Sequence, residues 1–139
     1  DGNTICEADH LFATRLWQNN SKVHFDINAR EDKKRLIYGG HIISLVRALS
    51  FNGLENAQLI VGINGGTHAN PAFAEDTIYC WSEVLEKIDL NVRNIAALRL
   101  RSVGTKEKNH SMKVKSDDGR YLPTTVLDFD YWVLVPREL

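Results

Sequence analysis

Two features of this 139-residue chain could carry chemistry at neutral pH: an imidazole in a polar stretch, and a pair of glycines directly before an apolar helical pattern. The imidazole is His24, in the run Gln18-Asn19-Asn20-Ser21-Lys22-Val23-His24-Phe25-Asp26. An unperturbed imidazole titrates at about 6.5, so it can both take and return a proton in the physiological range. Taken alone, a histidine in such a segment is a surface-loop residue without a task. The glycines are Gly39 and Gly40. The first N–H groups of a helix have no intrahelical acceptor and stand at the positive end of its dipole, so they suit an oxygen on which negative charge develops. Glycine at that point lets a bound group approach the backbone closely. His41, in the first turn, either lines such a site or packs beside it.

Other candidates carry less. Cys6 and His10 are one helical turn apart and could share a metal, but a second pair of ligands is missing, so a helix surface is the expected place for both. The run Gly62-Ile63-Asn64-Gly65-Gly66-Thr67 is followed by Pro71 and a strand pattern rather than a helix, which argues against a phosphate cradle. Arg99 and Arg101 alternate with Leu98 and Leu100, with Lys106 and Lys108 beyond them; coenzyme phosphates are one use for these cations and a solvated sheet face is the default. Trp81, Tyr131 and Trp132 are expected as core or interface anchors rather than pocket walls.

The elements that must hold these groups read in order along the chain. Thr4-Ile5-Cys6-Glu7 has the capping-box form and predicts a helix start at Thr4, with Ile5, Ala8, Phe12 and Leu16 on its buried face. Asn19 to Arg35 is loop. Ile42, Leu45, Val46 and Leu49, widened by Ile43 and Ala48, predict a helix buried nearly all round that stops at Asn52-Gly53. Strands are predicted over Gln58 to Asn64, Thr77 to Lys87, Ile95 to Gly104, Ser111 to Lys115 and Thr124 to Val135. Turns are predicted at Gly65-Gly66, Pro71, Asp89 to Asn94 and Asp117-Asp118-Gly119. Pattern alone therefore supports an α+β domain, helices first and an antiparallel sheet after them.

Three stretches together resemble one family. Gln18 to Asp26 resembles the Asp-x-Asn-Pro-(apolar)-His-x-Asp motif of MaoC-like hydratases and dehydratases. Leu36-Ile37-Tyr38-Gly39-Gly40-His41-Ile42-Ile43-Ser44-Leu45 is similar to the apolar-His-Gly start of that family's central helix, and Asn70-Pro71-Ala72-Phe73-Ala74-Glu75-Asp76-Thr77 to its Pro-Val-x-x-Gly-Asp-Thr turn. The wording is nearest to the branch in which two hot dogs are fused in one chain, in the second of the two, and the likeness runs from about Thr4 to Arg137. This chain departs from the pattern at Asn19, where the family has Asp, and at Ser21 or Lys22, where it has Pro. Thr67 and His68 stand where it often has an arginine and an aromatic, and Glu75 where it has glycine.

The resemblance implies a hot-dog fold, an antiparallel sheet wrapped around a central apolar helix, as half of a double hot dog. It implies a lyase that reversibly hydrates a short, branched, carboxylated enoyl-CoA such as mesaconyl-CoA, with no metal or redox cofactor and coenzyme A as part of the substrate. His24 would be the general acid/base. Asn19, a carboxamide that cannot titrate, would hold the water or the thioester. Gly39, Gly40 and His41 would bind substrate at the helix start, and Asp26 would either orient the imidazole or serve only its loop. The expected partners are the acyl-CoA and a second hot-dog domain or homodimer partner covering the open sheet edge. Two further readings stay open: a non-catalytic hot dog that shapes an acyl pocket or dimerises, which Asn19 favours, and a thioesterase, which would need a carboxylate that is missing between His41 and Phe51.

Composition narrows the partners. Seventeen basic and eighteen acidic residues give a net charge of -1 without blocks of either sign, which argues against nucleic acid or an anionic membrane surface. Two cysteines make no disulfide framework, so a cytoplasmic setting is expected. At this length one core and one domain over residues 1–139 are expected. The chain opens on Asp1 and runs quickly into a helical pattern, which suggests a missing first strand or a preceding domain.

Overall fold

In the computed structural model, which describes residues 1–57, 59–92, 94–108 and 111–137, the β-branched and aromatic runs of the second half pair into one antiparallel sheet. Its strands are β1 (Gly2–Thr4), β2 (Leu59–Thr67), β3 (Thr77–Val92), β4 (Ile95–Thr105) and β5 (Thr125–Pro136), in the order β1-β3-β4-β5-β2. Side chains alternate across a strand, and β5 shows it from Leu127 to Leu134: Leu127, Phe129, Tyr131 and Val133 are buried while Asp128, Asp130, Trp132 and Leu134 are only partly so. Three helices precede β2: α1 (Glu7–Leu16), α2 (Gly39–Leu49) and α3 (Phe51–Leu54). This is the expected α+β hot-dog arrangement.

The central helix α2 lies on the inner face of β3 and β4. A side chain at Gly104 would meet Val46 Cγ2 at 2.7 Å, so the helix can approach the sheet this closely because β4 carries a glycine there. Ile42 and Val46 form its buried edge within the core of Ile78, Leu100, Leu127 and Val133. Burying each such side chain is worth about 1.5–3 kcal/mol. Ser44 and Ala48 face solvent and Ile43, Leu45 and Leu49 are half-buried, so burial nearly all round is corrected to burial of one stripe. The helix ends near the expected place, with Gly53 in the left-handed region at φ 101°.

Below the core stripe a chain of polar groups ties α2 to the sheet. Arg47 Nη1 donates to Tyr131 Oη (2.9 Å), which bonds Ser102 Oγ (2.9 Å); Ser102 bonds Ser82 (2.8 Å) and Ser82 bonds Ser50 (3.1 Å). Arg47 also donates to the Ala57 carbonyl and stands 5.3 Å over the Tyr131 ring. Tyr131 is thus core, as expected.

Several expectations are corrected. Thr4 does not cap α1: it lies in β1, paired with Thr77, and its hydroxyl is 2.8 Å from that of Thr77, which leaves it unable to serve the helix. The helix starts at Glu7, and its buried side chains are His10 and Thr14, whereas Phe12 and Leu16 are exposed. Gly65-Gly66 is no turn but part of β2, where bulges absorb the irregular residues. Ser111 to Lys115 forms no strand, only a bridge between Lys115 and Tyr121. β3 runs on to Val92, with Asn91 and Asn94 taking positive φ at the turn; Gln58 and Arg93 of the predicted elements lie outside the described residues. Arg99 and Arg101, candidate phosphate ligands, each form two bonds to an aspartate, Asp130 (2.6 and 3.0 Å) and Asp128 (2.7 and 2.8 Å). β1 covers only Thr77–Tyr79, and beyond it Val84, Leu85, Ile88 and Leu90 of β3 are exposed, as are Leu59, Val61 and Ile63 on β2.

Candidate active site

Three consecutive backbone amides hold the segment that leads into α2. Leu36 N–H donates to the Val23 carbonyl (2.9 Å), Ile37 N–H to that of Ala72 (3.0 Å), and Tyr38 N–H to Nε2 of His10 (3.0 Å). The segment is therefore pinned by the loop before it, by the turn before β3 and by α1. The first turn of α2 begins immediately afterwards, and no side chain caps it: Tyr38, at the N-cap, makes no side-chain bond to the helix. The N–H groups of Gly39 and Gly40 stand at that uncapped end, where the helix has no acceptor for them.

His24 is placed by the same segment. It closes a single 3₁₀ turn, Lys22–His24, and its Nδ1 is 2.7 Å from the Leu36 carbonyl oxygen. A carbonyl can only accept, so Nδ1 carries a hydrogen, and in the neutral ring the lone pair falls on Nε2, the form required of a general base. Asp26 does not orient the imidazole; its carboxylate accepts the Asn28 N–H and caps the next turn.

A cavity of about 400 Å³ opens beside these groups, lined by His24, Leu36, Gly39, Ile42, His68 and Val126 among others. Its far wall is fixed by Asn70, whose Nδ2 donates to the carbonyls of Leu122 (2.9 Å) and Thr125 (2.7 Å). The His68 ring lies where a Cβ on Gly39 would be, 2.5 Å from Nε2, and the Tyr38 ring occupies the same place over Gly40. The missing side chains thus admit two rings on the Cβ side of these residues. Burial pushes the imidazoles of His68 and His41 below their ordinary value.

Of the expected site residues, His24 and Gly39 meet in the cavity, and Gly40 adjoins it in the first turn of α2. His41 packs against His10, ring centres 6.1 Å apart, rather than lining the cavity. Asn19 closes the end of α1, its N–H on the Thr14 carbonyl and its Oδ1 accepting the Ser21 N–H at 2.9 Å. Its Nδ2 donors and a second lone pair on Oδ1 remain for other work.

Two residues escaped the sequence reading. His68 precedes Pro71 at a position the family motif fills otherwise. His10, expected on a helix surface beside Cys6, is fully buried and meets the His24 ring edge-on at 6.2 Å; Cys6 is exposed. Desolvation, and then the neighbouring His41 and His24, lower the pKa of His10 to about 4. Its mark in the sequence is faint, since a His and a Thr four apart look polar until both turn inward.

No family model matches the chain. It is 58% identical over 137 residues to a mesaconyl-CoA hydratase of Cereibacter sphaeroides and 53% identical over 142 residues to a beta-methylmalyl-CoA dehydratase of Chloroflexus aurantiacus, in both cases over 99% of this chain and 40% of the relative. The chain spans about two fifths of the length of the curated relatives it matches. A crystal structure of a MaoC domain protein dehydratase from Chloroflexus aurantiacus superposes with a TM-score of 0.94 at 51% identity, over 100% of this chain and 41% of that one. The chain has the hot-dog fold and is similar to these proteins over nearly its whole length. A double hot-dog protein of Mycobacterium tuberculosis shares the fold alone, at 21% identity and a TM-score of 0.64 over 99% of this chain and 37% of that one. Glu75, where the MaoC-like motif has glycine, keeps the backbone that glycine favours, at φ 73°. Among the described residues no helix is long and apolar enough to cross a membrane.

Proposed function

We propose that this MaoC-like domain belongs to a hydro-lyase that reversibly adds water to a short, branched enoyl-CoA, with mesaconyl-CoA converted to β-methylmalyl-CoA as the favoured reaction. One observation carries the reading: His24, held at Nδ1 by the Leu36 carbonyl, and Gly39, at the uncapped start of α2, line one cavity. The names of the two relatives support the substrate.

In the hydration direction, Nε2 of His24 takes a proton from water as the hydroxyl oxygen bonds the β-carbon. The π electrons of the double bond move toward the thioester, whose oxygen gains charge and is met by the Gly39 and Gly40 N–H groups. The proton then passes to the α-carbon, and the net change is one water added. Asn19 contributes through its Nδ2, by steadying the water or the thioester. Coenzyme A arrives with the substrate, and no further cofactor enters these steps. The exposed apolar rows on β2 and β3 are covered by a second hot-dog unit, in the same chain or in a partner.

The test is a spectrophotometric assay of the full protein with mesaconyl-CoA and crotonyl-CoA. Turnover with mesaconyl-CoA well above that with crotonyl-CoA is expected; no hydration of either would refute the reading. The engagement of Asn19 Oδ1 by Ser21 favours a second reading, a hot dog that shapes the pocket while another domain does the chemistry. Full turnover in a folded His24→Ala protein would establish it.

A further inference from the structure

His10 is a buried polar group that the hydration steps leave without a role. It has 0% exposure on α1. Its Nε2 accepts the Tyr38 N–H at 3.0 Å, so the hydrogen is on Nδ1, which has no acceptor among the described residues. Burying an imidazole half-satisfied costs free energy that an apolar side chain would not. A space-filling task alone therefore does not account for it.

The geometry gives it another. Of the three amides that pin the run into α2, those of Leu36 and Ile37 are held by backbone carbonyls, and the last, Tyr38, by this one side chain. The Tyr38 N–H belongs to the N-cap residue, outside the helical ladder, and the peptide that bears it leads directly to Gly39. Without His10 that donor is orphaned, and the N-cap residue is held only through its carbonyl, which accepts the His41 N–H at 2.9 Å and the Ile42 N–H at 3.3 Å. The same imidazole stands edge-on to the His24 ring at 6.2 Å and meets His41 at 6.1 Å. It thus bears on both halves of the chemistry, the base and the oxyanion donors.

We propose that His10 is a positioning residue: its neutral imidazole fixes the Tyr38 amide, and with it the direction of the Gly39 and Gly40 N–H groups, while its edge holds the ring of His24. The role rests on the hydratase reading given above. It requires a lone pair on Nε2, since a protonated imidazole would set a donor against a donor. Its surroundings keep the lone pair. Burial disfavours the charged form, as do His41 on α2, His24 on the preceding loop and Arg35, and only Glu7 on α1 opposes them.

The test uses the full protein with three variants. His10→Ala removes the acceptor, and His10→Gln offers a carboxamide oxygen at similar reach. Thr14→Val removes another buried polar group of α1, one bonded to the His10 carbonyl rather than to Tyr38. His10→Ala should lower kcat with mesaconyl-CoA by about tenfold or more while KM moves less than about threefold, the pattern of an interaction made in the transition state. His10→Gln should recover most of kcat, and Thr14→Val should retain it at a comparable fall in Tm. Equal losses of kcat in His10→Ala and Thr14→Val, or no recovery in His10→Gln, overturn the proposal. Heteronuclear amide NMR separates its failure from that of the hydratase reading, because it needs no turnover. The Tyr38, Gly39 and Gly40 resonances should shift in His10→Ala and return in His10→Gln. Unmoved amides overturn the proposal, whereas a wild-type protein that hydrates neither thioester overturns only the reaction assigned to the site.

Discussion

Replacing His24 tests whether the imidazole acts on protons or only braces its loop, because the two roles differ in size. The bracing is one bond, Nδ1–H to the Leu36 carbonyl at 2.7 Å in a half-buried setting. Losing such a bond costs about 1 kcal/mol, a few degrees in Tm. Losing a general acid/base costs about 10²- to 10⁴-fold in rate, or roughly 3–5 kcal/mol of transition-state stabilisation. His24→Ala removes both, whereas His24→Asn keeps a donor near the Nδ1 position and removes only the base. Turnover should therefore fall equally in the two variants, measured by thioester absorbance under saturating substrate, while only His24→Ala loses appreciable thermal stability. Asn19→Ala should cost about one decade or less, since a carboxamide can withdraw only hydrogen bonds from the reaction and no proton transfer. Asn19→Asp keeps the Oδ1 bond to the Ser21 N–H and should be tolerated. Activity in His24→Asn within a factor of about two of wild type would refute the assignment, because no carboxamide can replace a base.

Other perturbations probe the frame. Glu75→Gly relieves a left-handed residue worth about 1–2 kcal/mol and adds about 0.5–1 kcal/mol of chain entropy, so stability should rise by up to about 1 kcal/mol, read by denaturant unfolding. Tyr131→Phe strips Arg47 and Ser102 of a buried partner and should destabilise by about 1–3 kcal/mol; an unchanged midpoint would mean the network contributes nothing net. The Arg101 bond, then that of Tyr121, holds the Asp128 carboxyl below the usual carboxylate range. A depressed folded pKa contributes stability above the unfolded value of about 3.9 that is lost as pH falls through the folded one. Melting curves of Asp128→Asn and wild type should therefore lie apart at neutral pH and converge in strong acid.

Much of the architecture is legible in local pattern. The apolar stripe of α2, the left-handed Gly53 shortly after its end and four of the five predicted strands follow from spacing and turn residues, because those signals act between neighbours in the chain. The errors fall where a distant partner decides. Thr4 has the form of a helix cap, yet an edge of β3 claims its hydroxyl. Gly65 and Gly66 look like a turn, yet β5 lies alongside and pairs with them.

The site divides in the same way. Sequence by itself determined that an imidazole and a double glycine flank one loop, and the order of three motifs was enough to resemble the MaoC-like family. Tertiary structure alone decided which nitrogen of His24 carries its hydrogen, since that depends on the Leu36 carbonyl twelve residues away. It also turned His10 inward onto Tyr38, across a separation of 28 residues, and left the more apolar Phe12 and Leu16 outside. Hydrophobic periodicity cannot report that choice, because the burial of an imidazole is set by the one amide it meets.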